Sequence, residues 1–425
     1  MIFKNNILII SILAVFLLFS CLPKSTNPTI KNDTQSIYNP LLNRLNPEYF
    51  VYNDEMGKSR LYTKIYLNDL MFIPTDSTNK IFVGKIKIEY EVFSPENLDL
   101  LIDSASNIYN IRNIKGQNNI ITYLNINNNL LKEYYLKITT TDMFRRVSIQ
   151  DFIFVSTEEG SKQSFIVKSK ENDYPYFKNY FRKEHFFSIK HNFPVDSIYI
   201  KYFSEELPLP YPPFSSMIRD EILTKHDSIW SVNGKESIQF NESKFGLYFI
   251  QTDTTSKNGL ALINQTNNFP FIKQTDEMLS PLQYLTSTNE FIKIQTSTNK
   301  KLAIDRFWLS CGENPQRTRE LIRIYYNRVL YANINFSSFT QGWRTDRGMI
   351  YLIFGPPKAV KKTANKEEWI YSDRLNYKML IFVFNKTNDK FSDNDYVLER
   401  NIDFKKFWFE SIRSWREGKV YTVFK

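Results

Sequence analysis

The chain has 425 residues, 42% of them hydrophobic and 16% aromatic, and a formal charge of +10. That size suits two or three folded domains with substantial cores. The basic residues are spread along the chain without a dense Lys/Arg run, which argues against a nucleic-acid partner and leaves a surface suited to anionic neighbours such as lipid headgroups or acidic glycans.

Residues 1–20 have the layout of a targeting segment. Lys4 supplies a short positive region, and Ile7 to Phe19 is apolar except for Ser11. That run is too short to span a bilayer, which takes about 20 residues. Leu18-Phe19-Ser20-Cys21 then fits a lipobox, with Leu three residues before the cysteine and a small residue just before it. The segment reads as a lipoprotein signal peptide and is set aside from fold reasoning. Acyl chains on Cys21 would hold the protein to a membrane. The other cysteine, Cys311, then has no intramolecular disulfide partner, and it reads as a small buried hydrophobe. Residues 21–40 are polar and rich in Asn, Thr, Ser and Pro, which predicts a disordered tether.

From 41 to 157 the sequence alternates apolar and polar residues in short runs: Tyr62–Leu67, Ile81–Phe93, Ile120–Leu124, Tyr134–Thr139 and Arg146–Phe152. Period-two alternation of β-branched and aromatic residues predicts half-buried strands and a β-sandwich. Residues 165–298 repeat the style at Ser188–His191, Ser197–Phe203 and Gly246–Gln251, and predict a second β-sandwich. Between those runs lies Leu207-Pro208-Leu209-Pro210-Tyr211-Pro212-Pro213-Phe214. Its four prolines predict an extended path, either a rigid connection between strands or a docking segment.

Residues 301–425 predict an α+β domain. Asn314 is a good N-cap and Pro315 a good first helical residue. Leu321, Tyr325, Val329 and Ala332 then share one face, with Arg317, Arg319, Arg323 and Arg328 mostly on the others, so a helix is expected over Pro315–Asn335. Strands are expected at Met349–Phe354, Glu368–Tyr371, Lys378–Phe384 and Tyr396–Arg400, and a closing helix over Phe404–Trp415. The fold expected is thus multidomain β plus α+β: two Ig-like β-sandwich modules followed by a C-terminal α+β domain.

Catalytic chemistry is hard to find. His185, His191 and His226 are the three histidines, and none has metal-ligand spacing. There is no nucleophile elbow, phosphate loop or dinucleotide fingerprint, so no cofactor and no metal is expected.

The C-terminal third is more specific. It reads Gly342-Trp343-Arg344-Thr345-Asp346, then Arg347-Gly348, then Gly355-Pro356-Pro357. Phe307-Trp308, Asn314-Pro315 and Tyr325-Tyr326-x-Arg328-Val329-x-Tyr331-Ala332-Asn333 stand upstream, and Glu368-Trp369-Ile370-Tyr371 downstream. This pattern resembles the GWxTD-domain proteins, bacterial envelope proteins mostly from the Bacteroidetes. The resemblance implies an envelope location and carries no established activity with it. It also includes a Pro-Pro-Phe segment like Pro212-Pro213-Phe214. In such bacteria an acidic run after the lipidated cysteine accompanies surface export. Leu22-Pro23-Lys24-Ser25-Thr26 has no acid, which favours an outer-membrane lipoprotein facing the periplasm. The Gly355-Pro356-Pro357 turn followed by Trp369 is also similar in layout to small outer-membrane assembly lipoproteins, which are non-enzymatic accessories of a membrane machine.

The motif residues Gly342, Trp343, Thr345, Asp346, Arg347, Gly348, Gly355, Pro356, Pro357 and Trp369 admit two readings. In one, Trp343 is a stacking platform and Arg344, Asp346 and Arg347 form a polar site for a sugar or peptide. In the other, Thr345 or Asp346 accepts backbone hydrogen bonds at a turn, Trp343 fills a core pocket, and Arg347 pairs with an acid. The second favours a scaffold or accessory subunit with protein partners in the envelope. The first favours an envelope enzyme or a glycan- or peptide-binding protein.

Overall fold

The computed structural model describes residues 37–40, 45–55, 58–75, 81–114, 116–127, 131–169, 174–182, 185–204, 207–219, 225–372, 379–387 and 389–420. The expected signal peptide, Cys21 and the tether as far as residue 36 lie outside them.

The first block forms strands β1 (Glu48–Glu55), β2 (Lys58–Tyr66), β3 (Phe72–Pro74), β4 (Phe82–Phe93), β5 (Leu101–Arg112), β6 (Asn119–Asn127), β7 (Glu133–Asp142) and β8 (Val147–Ser156), of which β2, β4, β6, β7 and β8 lie on the alternating runs. They make two antiparallel sheets, one in the order β1-β2-β6 and one in the order β3-β4-β7-β8 with β5 along β4. Val51, Leu61 and Ile126 from the first sheet share one apolar cluster with Ile88, Val92, Leu136 and Val155 from the second. Each contributes the inward half of a period-two pattern.

The second block builds β9 (Phe165–Ser169), β10 (Tyr180–Phe181), β11 (Phe187–His191), β12 (Ser197–Phe203), β13 (Ser228–Asn233), β14 (Ile238–Phe240), β15 (Gly246–Gln251) and β16 (Leu260–Asn264). The sheets run β10-β16-β15-β12-β13 and β14-β11-β9. Phe187, Ile189 and Phe240 of the smaller sheet meet Ile200, Tyr248 and Leu262 of the larger in a second cluster. The β character expected to 298 ends at β16. Helices α1 (Thr275–Leu279) and α2 (Thr288–Gln295) follow, the second capped by Ser287 with Glu290 three residues on. Their Leu279 and Ile294 belong to the C-terminal core.

That core is built from α3 (Lys300–Gly312), α4 (Pro315–Phe336), α5 (Asp346–Phe354), strands β17 (Ala359–Lys362), β18 (Lys366–Ser372), β19 (Met379–Lys386) and β20 (Tyr396–Leu398), and α6 (Phe404–Arg416). The four strands form a meander in chain order. Asn314 caps α4 by accepting from the Arg317 N–H at 2.9 Å. Leu321, Tyr325, Val329 and Ala332 form its buried face, as expected. Arg328 departs from the expected solvent face. It is buried and donates to the Leu352 and Ile353 carbonyls at 2.8 and 3.1 Å. Those carbonyls end a helix and lack intrahelical donors. Burial pushes the Arg328 guanidinium down to about 10.

Two further expectations are corrected. Met349–Phe354 is not a strand but most of α5, a helix buried along its whole length. An apolar run enclosed on all sides carries no periodicity to separate the two. The tether was expected to extend through residue 40, yet Tyr38 is 8% exposed. Its ring packs on Phe336 and Trp369, and its hydroxyl donates to Glu367 at 2.8 Å.

Among the described residues, no helix is long and apolar enough to cross a membrane. Cys311 is a free, buried thiol, pushed up by burial.

Candidate functional site

The GWRTD segment is a tight turn between two helices. Gly342–Arg344 form a single 3-10 turn, and Thr345 caps α5. The Thr345 hydroxyl accepts from the Gly348 N–H at 3.0 Å and donates to the Gly342 carbonyl at 2.8 Å. The turn presses against α4 so closely that a Cβ on Gly342 would overlap the Ala332 carbonyl, and a Cβ on Gly348 would overlap that of Gly342. Both glycines are therefore required by backbone approach.

Trp343 is 2% exposed. Its indole N–H donates to Gln341 Oε1 at 2.6 Å, and its carbonyl accepts from the Tyr284 hydroxyl at 3.1 Å. The ring meets Tyr284 edge-on at 6.1 Å. It fills a core pocket and offers no open stacking face.

Asp346 is 5% exposed and is held on both oxygens. Arg400 Nη2 donates to Oδ1 at 2.5 Å, and Arg400 Nη1 and the Leu398 N–H donate to Oδ2 at 3.2 and 2.9 Å. Burial raises its carboxyl above the usual value, with Arg400 pulling the other way.

Arg347 is also buried. It donates to Glu367 Oε1 at 3.1 Å and to the Asn394 carbonyl and Oδ1 at 2.9 and 2.5 Å. Its guanidinium lies 4.0 Å from the Tyr396 ring centre. Glu367 collects Arg347, the Tyr38 hydroxyl and the Trp369 indole N–H at 3.0 Å, so two of the motif residues converge on one buried carboxylate. Trp369 itself is fully buried against Phe336 and Phe384. Gly355 and Pro357 are buried and Pro356 half-buried in the loop after α5.

The network continues into the first β unit. Lys362 reaches Asp151 at 2.6 Å, and Tyr135 donates to Asn365 at 2.7 Å. A cleft of about 880 Å³ opens along this seam, with Tyr49, Tyr66, Lys178, Tyr331, Lys362 and Asn394 among its walls. Arg344 is the motif side chain that reaches the edge. It lines a second cleft of about 580 Å³ with Leu209, Leu279, Gln283 and Phe291. Sequence reasoning missed Arg400, Glu367, Asn394 and Tyr38. Arg400, Asn394 and Tyr38 lie far along the chain from Asp346, Arg347 and Glu367, and Glu367 stands 20 residues from Arg347, so no local pattern marks these pairings.

Among the described residues, no group of three or more His, Cys, Asp or Glu could hold a metal ion.

The N-terminal part is thus mostly β-sheet, the C-terminal part combines helices with a four-stranded meander, and the signature turn lies buried inside the latter. The family model for the GWxTD domain matches residues 246–417, so the chain carries a GWxTD domain there. The match begins at β15, upstream of the point where the sequence alone placed the domain. No curated protein matches the chain.

Proposed function

We propose that this chain is a non-enzymatic, lipid-anchored envelope protein that serves as a scaffold or accessory subunit of an envelope complex. In this reading Cys21 carries the acyl chains, and the protein faces the periplasm from the outer membrane. Two Ig-like β-sandwich modules, each with its two sheets sharing one apolar cluster, precede the GWxTD domain in the chain, and the tether reaches that domain at Tyr38.

The observation that carries the reading is the enclosure of the motif. Trp343 is buried, and the charged groups of Asp346 and Arg347 are taken up by Arg400, Glu367 and Asn394 inside the fold. A site that works on a ligand needs convergent polar groups facing a pocket. The competing reading, an envelope enzyme or a glycan- or peptide-binding protein with its site at the GWRTD loop, has Arg344 at the edge of the 580 Å³ cleft in its favour.

The test is affinity capture of the native lipoprotein from detergent-solubilised envelope, followed by mass spectrometry. Stoichiometric envelope proteins that stay with wild type and with Asp346→Asn support the scaffold. A well-folded, anchored Asp346→Asn chain that keeps its partners but fails to complement a deletion strain favours the enzyme. Alkyne fatty-acid labelling that persists in Cys21→Ser removes the anchor assignment.

A further inference from the structure

A strap from the second β unit crosses the GWxTD domain at its signature motif. Residues 207–212 have neither helix nor strand hydrogen bonding, and the chain turns at Pro213–Phe214, where the Ser215 N–H bonds the Pro212 carbonyl at 3.0 Å. Three strap carbonyls are held by donors of the domain. The Arg344 guanidinium donates to the Leu207 carbonyl. Arg400 Nη2 donates to the Tyr211 carbonyl at 3.0 Å, and the Asn401 backbone N–H to that of Pro213 at 3.0 Å. Leu209 and Phe214 rest half-buried on the domain core. The Phe214 ring lies 5.5 Å from that of Phe409, with the Lys405 ammonium 6.0 Å from its centre. Downstream, Arg219 pairs with Asp395 at 3.0 and 2.6 Å.

Both arginines are themselves positioned by the motif. Arg400 is fixed by Asp346, and the Arg344 guanidinium lies 5.3 Å from the Trp343 ring centre. This gives the signature a second consequence beyond folding α5: it aims donors at the backbone carbonyls of a proline-rich segment. Proline has no N–H, so such a segment is recognised through its carbonyls and its apolar bodies. It also enters with little conformational entropy left to lose. The strap sits on the surface, and between 207 and 219 Pro213 is its one fully buried residue. The 580 Å³ cleft runs along its start, against Leu207, Pro208 and Leu209.

We propose that this groove is a recognition site for an extended, proline-rich segment of a partner protein, and that Leu207–Phe214 is its intramolecular occupant. The site rests on the scaffold reading and names the partner chemistry: alternating leucine and proline with an aromatic residue at the end, presented as bare carbonyls to Arg344, Arg400 and the Asn401 N–H. The strap competes for the same donors. A partner segment therefore binds with an affinity reduced by the fraction of chains in which the strap is seated.

The test uses the full chain in detergent and a fluorescent peptide with the strap sequence LPLPYPPFSS, read by anisotropy. Leu209→Ala with Phe214→Ala loosens the strap, and this variant is expected to bind the peptide at least about tenfold more tightly than wild type. Arg344→Ala in the loosened chain removes that gain. Arg400→Lys does the same in any preparation whose circular dichroism matches the parent. A peptide with alanine for every proline is expected not to bind. Equal binding of the proline and alanine peptides, or no gain on loosening, overturns the proposal. So does a concentration-dependent dimer of the wild-type chain that the peptide does not dissociate, because the occupant is then the strap of a second copy. Envelope partners that still copurify in those cases leave the scaffold reading standing while this one falls.

Discussion

Asp346 and Arg400, 54 positions apart, form a two-point ion pair with contacts of 2.5 and 3.2 Å, and the same guanidinium holds the Tyr211 carbonyl of the strap. One carboxylate thus ties the start of α5, the end of β20 and the proline-rich segment together. Removing one partner from a buried pair costs about 3–5 kcal/mol, because the other charge stays buried. Asp346→Ala is expected to lower stability by that amount in urea titration. Asp346→Asn keeps an acceptor oxygen for the Leu398 N–H and should lose less. Asp346→Ala with Arg400→Met should lose clearly less than the sum of the two single changes. Strict additivity would mean the pair does not couple.

Trp343 belongs to the core that joins α4, α5 and the 3-10 turn. A Trp→Ala change in such a place costs about 3–5 kcal/mol, a large share of a domain stability of roughly 5–15 kcal/mol. Trp343→Ala should therefore lower the melting temperature of the GWxTD domain and blur its near-ultraviolet circular dichroism. A variant that melts like wild type while losing a partner would restore the stacking-platform role.

The turn glycines make a sharper steric case. A methyl group at Gly342 meets the backbone of α4 at Ala332, and one at Gly348 meets the Gly342 carbonyl. Neither neighbour is a flexible side-chain end that can swing away. Gly342→Ala and Gly348→Ala are each expected to cost at least the upper end of the usual overpacking range of about 1–3 kcal/mol. Gly84→Ala is the control, since its new methyl would meet only the Phe72 ring at 3.2 Å. Soluble yield and denaturation midpoints read the difference, and equal behaviour of the three variants would contradict the packing described.

Much of this architecture was legible locally. The Asn314-Pro315 cap and the Leu321, Tyr325, Val329 spacing placed α4 correctly, because cap and periodicity agree there. Period-two alternation revealed β2, β4, β6, β7, β8, β11, β12 and β15, while β1, β3, β9, β10, β13, β14 and β16 were not picked out. β5 was missed because it lies mostly exposed and lacks a buried face to set a pattern. Helix α5 was misread because it is buried all round, although Thr345 as its cap and Gly355 after its end were the available signals. The pairing of Arg347 with an acid was foreseeable as chemistry. Its partner Glu367 was not, since sequence gives no distance between a helix and a strand that meet only in the fold. Tyr38 failed for a related reason: a lone aromatic in a polar stretch shows no period, and its burial depends on a pocket made by Phe336 and Trp369.

A final prediction concerns pH and the second β unit. His191 ends β11, 4% exposed, with its ring edge-on to Phe165 at 4.9 Å and Nδ1 2.8 Å from the Phe193 carbonyl. Its Nε2 is buried without a hydrogen-bond partner. Burial lowers its affinity for a proton below that of an ordinary histidine, while the Phe193 carbonyl and Glu159 act weakly the other way. With the folded value depressed, the native state binds fewer protons than the unfolded chain between that value and about 6.5. Stability therefore rises with pH across this window and is complete above it. Acidification from pH 7.5 to 5.5 should lower the melting temperature of the second β unit. His191→Gln, which cannot charge, should start less stable and show a smaller drop. Every other ionisable group is common to both chains, so the difference between the two profiles reports His191. Parallel profiles for the two proteins would show that His191 is not held neutral by the fold.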